Sequence, residues 1–491
     1  MPNSSGRRPN IVFILSDDQG YWAAGAYGNR EVRTPGIDAL ADSGVTCDRM
    51  YCVSPVCSPA RASILTGVIP SAHGVYDWIR QGNTHLEEGG KQPVSYLDGM
   101  TSYVSLLASA GYRCGFFGKW HLGNVHLPQQ DFSDWFVYPH GGGTYNDSHF
   151  VGSDGVAAVH SGYVTDVITD RALEFLESAS AGDQPFYLSL HYTAPHSPWD
   201  REEHPAEIYD RYFADCPFAS VPNLSANPLQ INSAPLPRTT RERRATLSGY
   251  YAAIERMDDN IRRVVQALRD YGQRENTLIV FTSDNGMNMG HHGLYGKGNA
   301  TFPANMFETS VRVPAVFSHP GTLPEGVRSD ALVNHYDIFP TILEYTSLSV
   351  PDATRRPGIS LLPLLREPGS DRPSGADRGV VVFSEYGPVH MILTRRWKYV
   401  HRYAYGPHEL YDLAEDPDEA HNLFGLPEFA DIVAERRQAL AEWFTQYADA
   451  RYDGRTLPVT GKGQIDTVKP GTSADSAFAD DWRYVCRDGR G

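Results

Sequence analysis

The amino-acid sequence predicts an α/β fold: a large, mostly parallel central sheet flanked by helices, followed by a smaller C-terminal α+β domain with an antiparallel sheet plus one helix. Three observations predict it. The runs at 11–15 (Ile-Val-Phe-Ile-Leu) and 278–281 (Leu-Ile-Val-Phe) are apolar without alternation, as in strands buried on both faces. Between them lies a long apolar stripe at helical spacing. After a Pro-, Gly- and Ser-rich stretch near 366–378, the apolar runs become short and follow one another closely. The expected domains are 1–370 and 371–491.

Taken in order, the first strand ends in Ser16-Asp17-Asp18. Residues 112–117 lead to Gly118-Lys119-Trp120-His121, and 185–190 lead to His191 and then Ala194-Pro195-His196. The strand at 278–281 runs into Thr282-Ser283-Asp284-Asn285-Gly286. Each of these strands is followed by a polar cluster, and ligand sites of open α/β sheets lie beyond the carboxyl ends of the strands. Pro59 suits the first turn of a helix. That places Ser58 at or near an N-cap, with Cys57 and Arg61 at a helix N-terminus, where free N–H groups favour an anion. The helix at 247–271 carries Leu247, Tyr250, Tyr251, Ile254, Met257, Ile261, Val264, Val265 and Leu268 on one stripe, with Gly272 as the C′ residue. That stripe is core. Residues 200–241, rich in Pro, Ala and Asn, read as a long loop of the kind that lines active sites.

Beyond the linker, short strands are expected at 380–384, 391–394, 398–402 and 409–413. A helix at 428–447 follows, with Val433, Leu440, Trp443, Phe444 and Tyr447 on its apolar side. The tail after Ala450 is expected to be irregular.

The chain of 491 residues contains no stretch approaching the ~20 apolar residues that span a bilayer. Its first ten residues are polar and lack the apolar core of a secretory signal, so the expected location is cytoplasmic, with no membrane partner. Six scattered cysteines without zinc-ligand spacing suggest reduced thiols. A net charge of −16 argues against nucleic acid as a partner.

The most informative segment is Cys57-Ser58-Pro59-Ala60-Arg61, followed by Ala62-Ser63-Ile64-Leu65-Thr66-Gly67. By itself such a cysteine is as readily a buried structural thiol. Asp17, Asp18, Asp284 and Asn285 offer only oxygen ligands, the set chosen by hard cations rather than zinc. Each pair alone would be read as a turn. Their joint occurrence with Cys57 changes that reading.

Together these segments resemble the type I, formylglycine-dependent sulfatase family of the alkaline phosphatase superfamily. Gly118-Lys119-Trp120-His121-Leu122-Gly123, Ala194-Pro195-His196-Ser197-Pro198 and the 290–297 stretch ending in Lys297 are further family segments. So are Arg256-Met257-Asp258-Asp259, Val311-Arg312-Val313-Pro314, Asp337-Ile338-Phe339-Pro340-Thr341, Ser360-Leu361-Leu362 and Glu409-Leu410-Tyr411-Asp412. The resemblance runs from about residue 10 to about 423 and leaves out the C-terminal tail. It implies that Cys57 is oxidised to formylglycine by a formylglycine-generating enzyme, the maturation partner. It also implies one divalent cation, usually Ca²⁺ with Mg²⁺ or Mn²⁺ as alternatives, held by Asp17, Asp18, residue 57, Asp284 and Asn285. Arg61, Lys119, His121, His196 and Lys297 complete the implied catalytic set, and His292 stands where many relatives carry a histidine.

The implied chemistry is nucleophilic attack by a formylglycine hydrate on a sulfate monoester, releasing alcohol and then inorganic sulfate. Asp284 would act as base for the attacking hydroxyl, His196 or Lys297 as acid for the leaving alcohol, and His121 as base for the second hydroxyl. A plain cysteine or serine has no second hydroxyl with which to expel sulfate. Two other readings compete: a formylglycine-dependent phosphodiester or phosphonate monoester hydrolase of the same superfamily, and a non-catalytic binding protein on this fold. The expected substrate is a small carbohydrate sulfate. Tyr76, Asp77, Trp78 and Arg80 offer a stacking surface with hydrogen-bonding groups, and Tyr145 and His149 a second wall. Ordinary loop packing would explain both segments equally well. Oligomeric state is left open.

Overall fold

The computed structural model describes residues 7–80, 93–231, 234, 236–367, 379–403, 406–468 and 477–479. Among them, the large sheet has five adjacent parallel strands at its centre: Thr277–Ser283, Asn10–Ser16, Phe186–His191, Arg113–Lys119 and Asp134–Tyr138. Antiparallel strands extend it on both sides: Ala315–Ser318 and Val45–Tyr51 on one, the hairpin Asn146–Gly152 and Ala157–Tyr163 on the other. This is the α/β architecture that the apolar runs predict.

Alternation along the strands builds the two layers. Val12, Ile14, Leu188, Leu190, Ile279 and Phe281 pack under the helices Val164–Ser180 and Thr240–Asp270, against Ile168, Leu176, Ile261 and Val264. Ile11, Phe13, Leu15, Leu278 and Val280 face the opposite way, toward Tyr103, Leu107, Phe339 and Ile342. The long helix starts at Thr240, earlier than its stripe suggests, because its first two turns are polar and its start is set by a capping box. Thr239 Oγ1 accepts from Glu242 N and the Glu242 carboxylate accepts from Thr239 N.

The expected loop at 200–241 requires correction: it holds the helix Ala206–Asp215. Ile208, Tyr209 and Tyr212 lie on one face of it, packed against Leu247, Tyr250 and Tyr251 of the long helix. The aromatic residues give the signal, and proline-rich flanks obscure it.

A second sheet, Val380–Ser384, Val389–Leu393, Trp397–Arg402 and Glu409–Asp412, is antiparallel in sequential order. The helix Ala430–Tyr447 covers one face with Leu440 and Phe444. The other face, including Val382, Met391 and Leu393, joins the main core. The expected linker falls from residue 368 onward outside the described residues.

Candidate active site

Strand register assembles the site. Ser16 pairs with Ser283, Leu15 with His191, and Gly118 with His191, so Asp17, Asp284, Lys119 and His191 emerge side by side at the carboxyl ends. The crossover is tight: a Cβ on Gly118 (φ +112°) would lie 1.8 Å from His191 O. Asp18 and His121 sit at φ +64° and +55°, backbone conformations uncommon for non-glycine residues.

Cys57–Thr66 forms a fully buried helix. Its N-cap is Val56, so Ser58 lies near the cap, in the first turn, and does not itself cap the helix. Cys57 is the first helical residue, and Ser58 Oγ is engaged elsewhere, donating to His121 O and accepting from Ile79 N at 3.0 Å each. Around the cysteine, Lys297 Nζ donates to Sγ at 2.7 Å and to Asp18 Oδ1 at 2.6 Å, and Asp17 Oδ1 lies 3.5 Å from Sγ. Lys119 Nζ pairs with Asp17. Arg61 donates through Nε to Asp284 Oδ2 at 2.9 Å and through NH1 to Lys119 O at 2.8 Å, and its NH2 lies within ion-pair distance of the same carboxylate oxygen at 2.9 Å. His196 Nε2 lies 3.7 Å from Asp18 Oδ2.

A divalent cation fits these residues. Asn285 Oδ1 is buried without a protein partner, while its amide nitrogen donates to Asp18 Oδ1 at 2.8 Å. Ligand atoms of Asp17, Asp18 and Cys57 lie within 4.8 Å of one another. The three carboxylates are each paired with a buried cation, so the group left unsatisfied in this water-poor pocket is Asn285 Oδ1, a buried acceptor that a hard cation would satisfy. Asp17, Asp18, Asp284 and Asn285 are the groups that would hold a hard cation.

The electrostatics divide the acids. Burial pushes Asp17 up, but Lys119, His196, Arg61 and Lys297 outweigh it and hold the carboxyl well below the usual range. Burial and then the charge on Asp17 raise Asp284 to about 6. Burial lifts the Cys57 thiol to about 12, despite Lys119 and Lys297, so the unmodified side chain is a protonated thiol at neutral pH. Burial pushes His121 well below its ordinary value, helped by Lys119 and Arg61, and leaves it neutral. Its Nε2 shares a 2.8 Å bond with Ile79 O and its Nδ1 is buried without a partner. Burial, opposing an ordinary ammonium, is outweighed at Lys297 by Asp18, Cys57, Asp17 and Asp284, which raise it well above normal.

Residues without an expected catalytic role also shape the pocket. His191 lies with Nδ1 3.4 Å from Arg61 NH1 and Nε2 2.8 Å from Ser189 Oγ, bracing the guanidinium. A Cβ on Gly141 would lie 2.6 Å from the His121 ring, and one on Gly142 would lie 2.6 Å from the His196 ring. Backbone at 141–142 therefore closes over both histidines, and the run of three glycines was the available signal.

The expected substrate walls are occupied differently. Tyr76 and Asp77 are buried, with Tyr76 packed on Phe478 and Asp77 accepting from Trp78 N and Gly463 N. Trp78 Nε1 donates to Gly461 O, and Arg80 N to Gln464 O. This loop is therefore packed against the C-terminal segment. Tyr145 is buried, stacked on Tyr163, and donates to His196 O at 2.7 Å, which makes it a support for the histidine. His149 is exposed on an outer strand opposite Val159. His292 stacks on Phe307 at 3.7 Å with Nε2 4.0 Å from Glu419, beside the buried Lys398–Glu308–Glu419 cluster.

An oxyanion pocket of buried cations and oxygen ligands around a helix-terminal cysteine, at the carboxyl edge of this sheet, defines a sulfatase-type hydrolase. Comparison with known proteins gives the same class. A family model described as Sulfatase matches residues 9–348, and one described as N-sulphoglucosamine sulphohydrolase, C-terminal, matches 290–446. An N-acetylglucosamine-6-O-sulfatase of Bacteroides thetaiotaomicron is 29% identical over 90% of this chain and 87% of its own. N-acetylgalactosamine-6-sulfatase of Canis lupus familiaris is 30% identical over 79% and 73%. A structure solved in complex with its substrate D-glucosamine-2-N,6-O-disulfate superposes with a TM-score of 0.74 and 27% identity, covering 92% of this chain and all of the other. The chain belongs to the sulfatase family of the alkaline phosphatase superfamily, and it is a sulfuric ester hydrolase. Among the described residues, no helix is long and apolar enough to cross a membrane.

Proposed function

We propose that the chain hydrolyses the sulfate monoester of a small carbohydrate, using formylglycine derived from Cys57 and one divalent cation, with Ca²⁺ the first choice. The observation that carries this reading is the surround of Cys57: Lys297 2.7 Å from the sulfur, Asp17 at 3.5 Å, and an unpartnered Asn285 Oδ1 beside them. A thiol held near 12 is a poor nucleophile, so the native group gives no reason for this concentration of charge.

Formylglycine would supply a hydrated aldehyde as nucleophile, and the cation would polarise a sulfate oxygen. The chain's own groups do the rest. Arg61, Lys119 and Lys297 balance the charge of a sulfate in a pocket where such contacts are strong. Asp284, which accepts from Arg61 Nε at 2.9 Å, would take the proton of the attacking hydroxyl. His196, with Nε2 3.7 Å from Asp18 Oδ2, and Lys297, with Nζ 2.7 Å from Cys57 Sγ, would supply the proton to the departing alcohol. His121 presents an unpartnered Nδ1 as a second base.

The substrate class is supported by relatives whose names and ligand specify amino-sugar sulfates. A phosphonate monoester hydrolase of Agrobacterium radiobacter shares the fold at 21% identity, which bears on architecture alone. The test is co-expression with a formylglycine-generating enzyme, mass analysis of the tryptic peptide 50–61, and turnover of aryl sulfate, 6-sulfated N-acetylhexosamines and an aryl phosphodiester. Modified residue 57 with preference for the sugar sulfates is expected. Faster turnover of the phosphodiester, or full activity with an intact thiol, would overturn the reading.

A further inference from the structure

The residues that aim His121 include a glutamine in the C-terminal segment, beyond both matched family segments, the later of which ends at 446. This inference rests on the reading of His121 as a base of the site. A ring nitrogen that faces a carbonyl carries the proton. The 2.8 Å bond from His121 Nε2 to Ile79 O therefore fixes the tautomer and leaves Nδ1 as the free acceptor. Ile79 N donates to Ser58 Oγ, the hydroxyl that donates to His121 O. Both backbone groups of Ile79 are thus turned toward the site, and its placement sets the imidazole.

Ile79 lies outside the sheets. Its position is held by a parallel bridge to Gln464. Gln464 N donates to Trp78 O at 2.8 Å, and Arg80 N donates to Gln464 O at 3.0 Å. In extended backbone, successive peptide groups point to opposite sides. The groups flanking Ile79 face Gln464, and those of Ile79 face Ser58 and His121. The Gln464 side chain, wholly buried, then clamps the preceding turn. Oε1 accepts from Tyr76 N at 2.9 Å, and Nε2 donates to Gly74 O at 2.8 Å and Asp466 O at 3.1 Å. Phe478 bridges the far side of Gln464 and packs on Tyr76.

We propose that Gln464 is a positioning residue for His121, acting through the 74–80 turn and the carbonyl of Ile79. The test uses full-length, formylglycine-bearing enzyme as wild type, Gln464→Ala, His121→Ala and the double variant. In Gln464→Ala, kcat on aryl sulfate should fall about 10- to 100-fold, the range set by a small misplacement of a catalytic group. Inhibition by inorganic sulfate, which the lysines and arginine hold, should stay nearly constant. In the His121→Ala background the glutamine substitution should have no further effect on kcat, the signature of two residues acting in series. Nitrogen NMR of labelled histidine should show the Nε2–H tautomer for His121 in the wild type and a changed signal in Gln464→Ala, whether or not substrate turns over.

A folded Gln464→Ala enzyme with unchanged kcat and an unchanged His121 signal overturns the proposal. So does an equal loss of kcat in both backgrounds. A wild-type His121 without the expected tautomer also overturns it. A His121→Ala protein with a strongly reduced but measurable kcat is required by the underlying reading, so full activity there counts against that reading and leaves the tautomer measurement to judge Gln464. Should Gln464→Ala not fold, Gln464→Met makes the same test, since it keeps most of the volume but can neither accept from Tyr76 N nor donate to Gly74 O; a loss of kcat and a changed His121 signal are expected, and neither appearing overturns the proposal.

Discussion

Replacing Lys297 by Met tests the charge balance of the pocket most directly. The side chain is about nine-tenths buried, and its ammonium lies 2.6 Å from Asp18 Oδ1 and 2.7 Å from Cys57 Sγ. Methionine retains most of the stem and removes the charge and the donors. At an effective dielectric of about 20, two unit charges about 3 Å apart interact by about 5 kcal/mol. That is an upper bound, because Arg61 and Lys119 remain and the sulfate carries charge before reaction as well as during it. Removal of one preorganised donor from a developing oxyanion costs about 2.7–4 kcal/mol, or about 10²–10³ in kcat. We expect Lys297→Met to lie in that range. Lys297→Arg should lose less, keeping the charge but not the point geometry. The assay is aryl sulfate hydrolysis at saturating Ca²⁺, with formylglycine occupancy matched by mass. A loss below about threefold would refute Lys297 as a group that stabilises the reacting sulfate, since it is far short of one donor's worth.

Other outcomes follow from the same geometry. Asn285→Ala removes the one unpartnered amide oxygen among the candidate ligands. Calorimetric Ca²⁺ affinity should fall about tenfold or more, the loss typical of disturbed metal shells. Gly142→Ala introduces a Cβ 2.6 Å from His196, so kcat/KM should fall about tenfold while the melting temperature moves little, consistent with about 1–3 kcal/mol of local overpacking. Burial raises Asp77 to about 7 despite its backbone hydrogen bonds. A carboxyl with a folded pKa above its unfolded value near 4 binds more protons when folded, so its contribution to stability is lost as pH rises from about 4 through 7. Asp77→Asn should therefore flatten the fall of Tm between pH 5 and 8, and an unaltered slope would contradict the buried placement.

Much of this site was legible in the chain. The apolar runs at 11–15 and 278–281 read as strands buried on both faces, each followed by a polar cluster, and the strand register then brings those clusters to one sheet edge. Cys57, Pro59 and Arg61 announce a helix start facing an anion. The family's Arg256-Met257-Asp258-Asp259 segment is read physically in the structure. Arg256 pairs with Asp166, Met257 is core, and Asp258 accepts from Gly36 N and Ile37 N at 2.7 Å each, capping a helix. Less legible was anything depending on a distant partner. The helix Ala206–Asp215 was hidden because its apolar face is short and aromatic and gains meaning only against Leu247 and Tyr250.

The sequence by itself determined the fold class, the strand ends that carry chemistry, and the donor types suited to a cation and a sulfate. These follow from local periodicity and residue chemistry, which are written along the chain. Only the tertiary structure decided which surfaces are free. Tyr76 and Asp77, whose residue types suit a sugar, are covered by the segment carrying Gly463, Gln464 and Phe478. Tyr145 is turned under His196, and backbone at Gly141 and Gly142 closes over both histidines. An aromatic residue in a loop looks the same in sequence whether it meets a ligand or another part of the chain. The physical reason is that burial is a property of contacts between residues nearly 400 positions apart, such as Tyr76 and Gln464, and no local pattern encodes them.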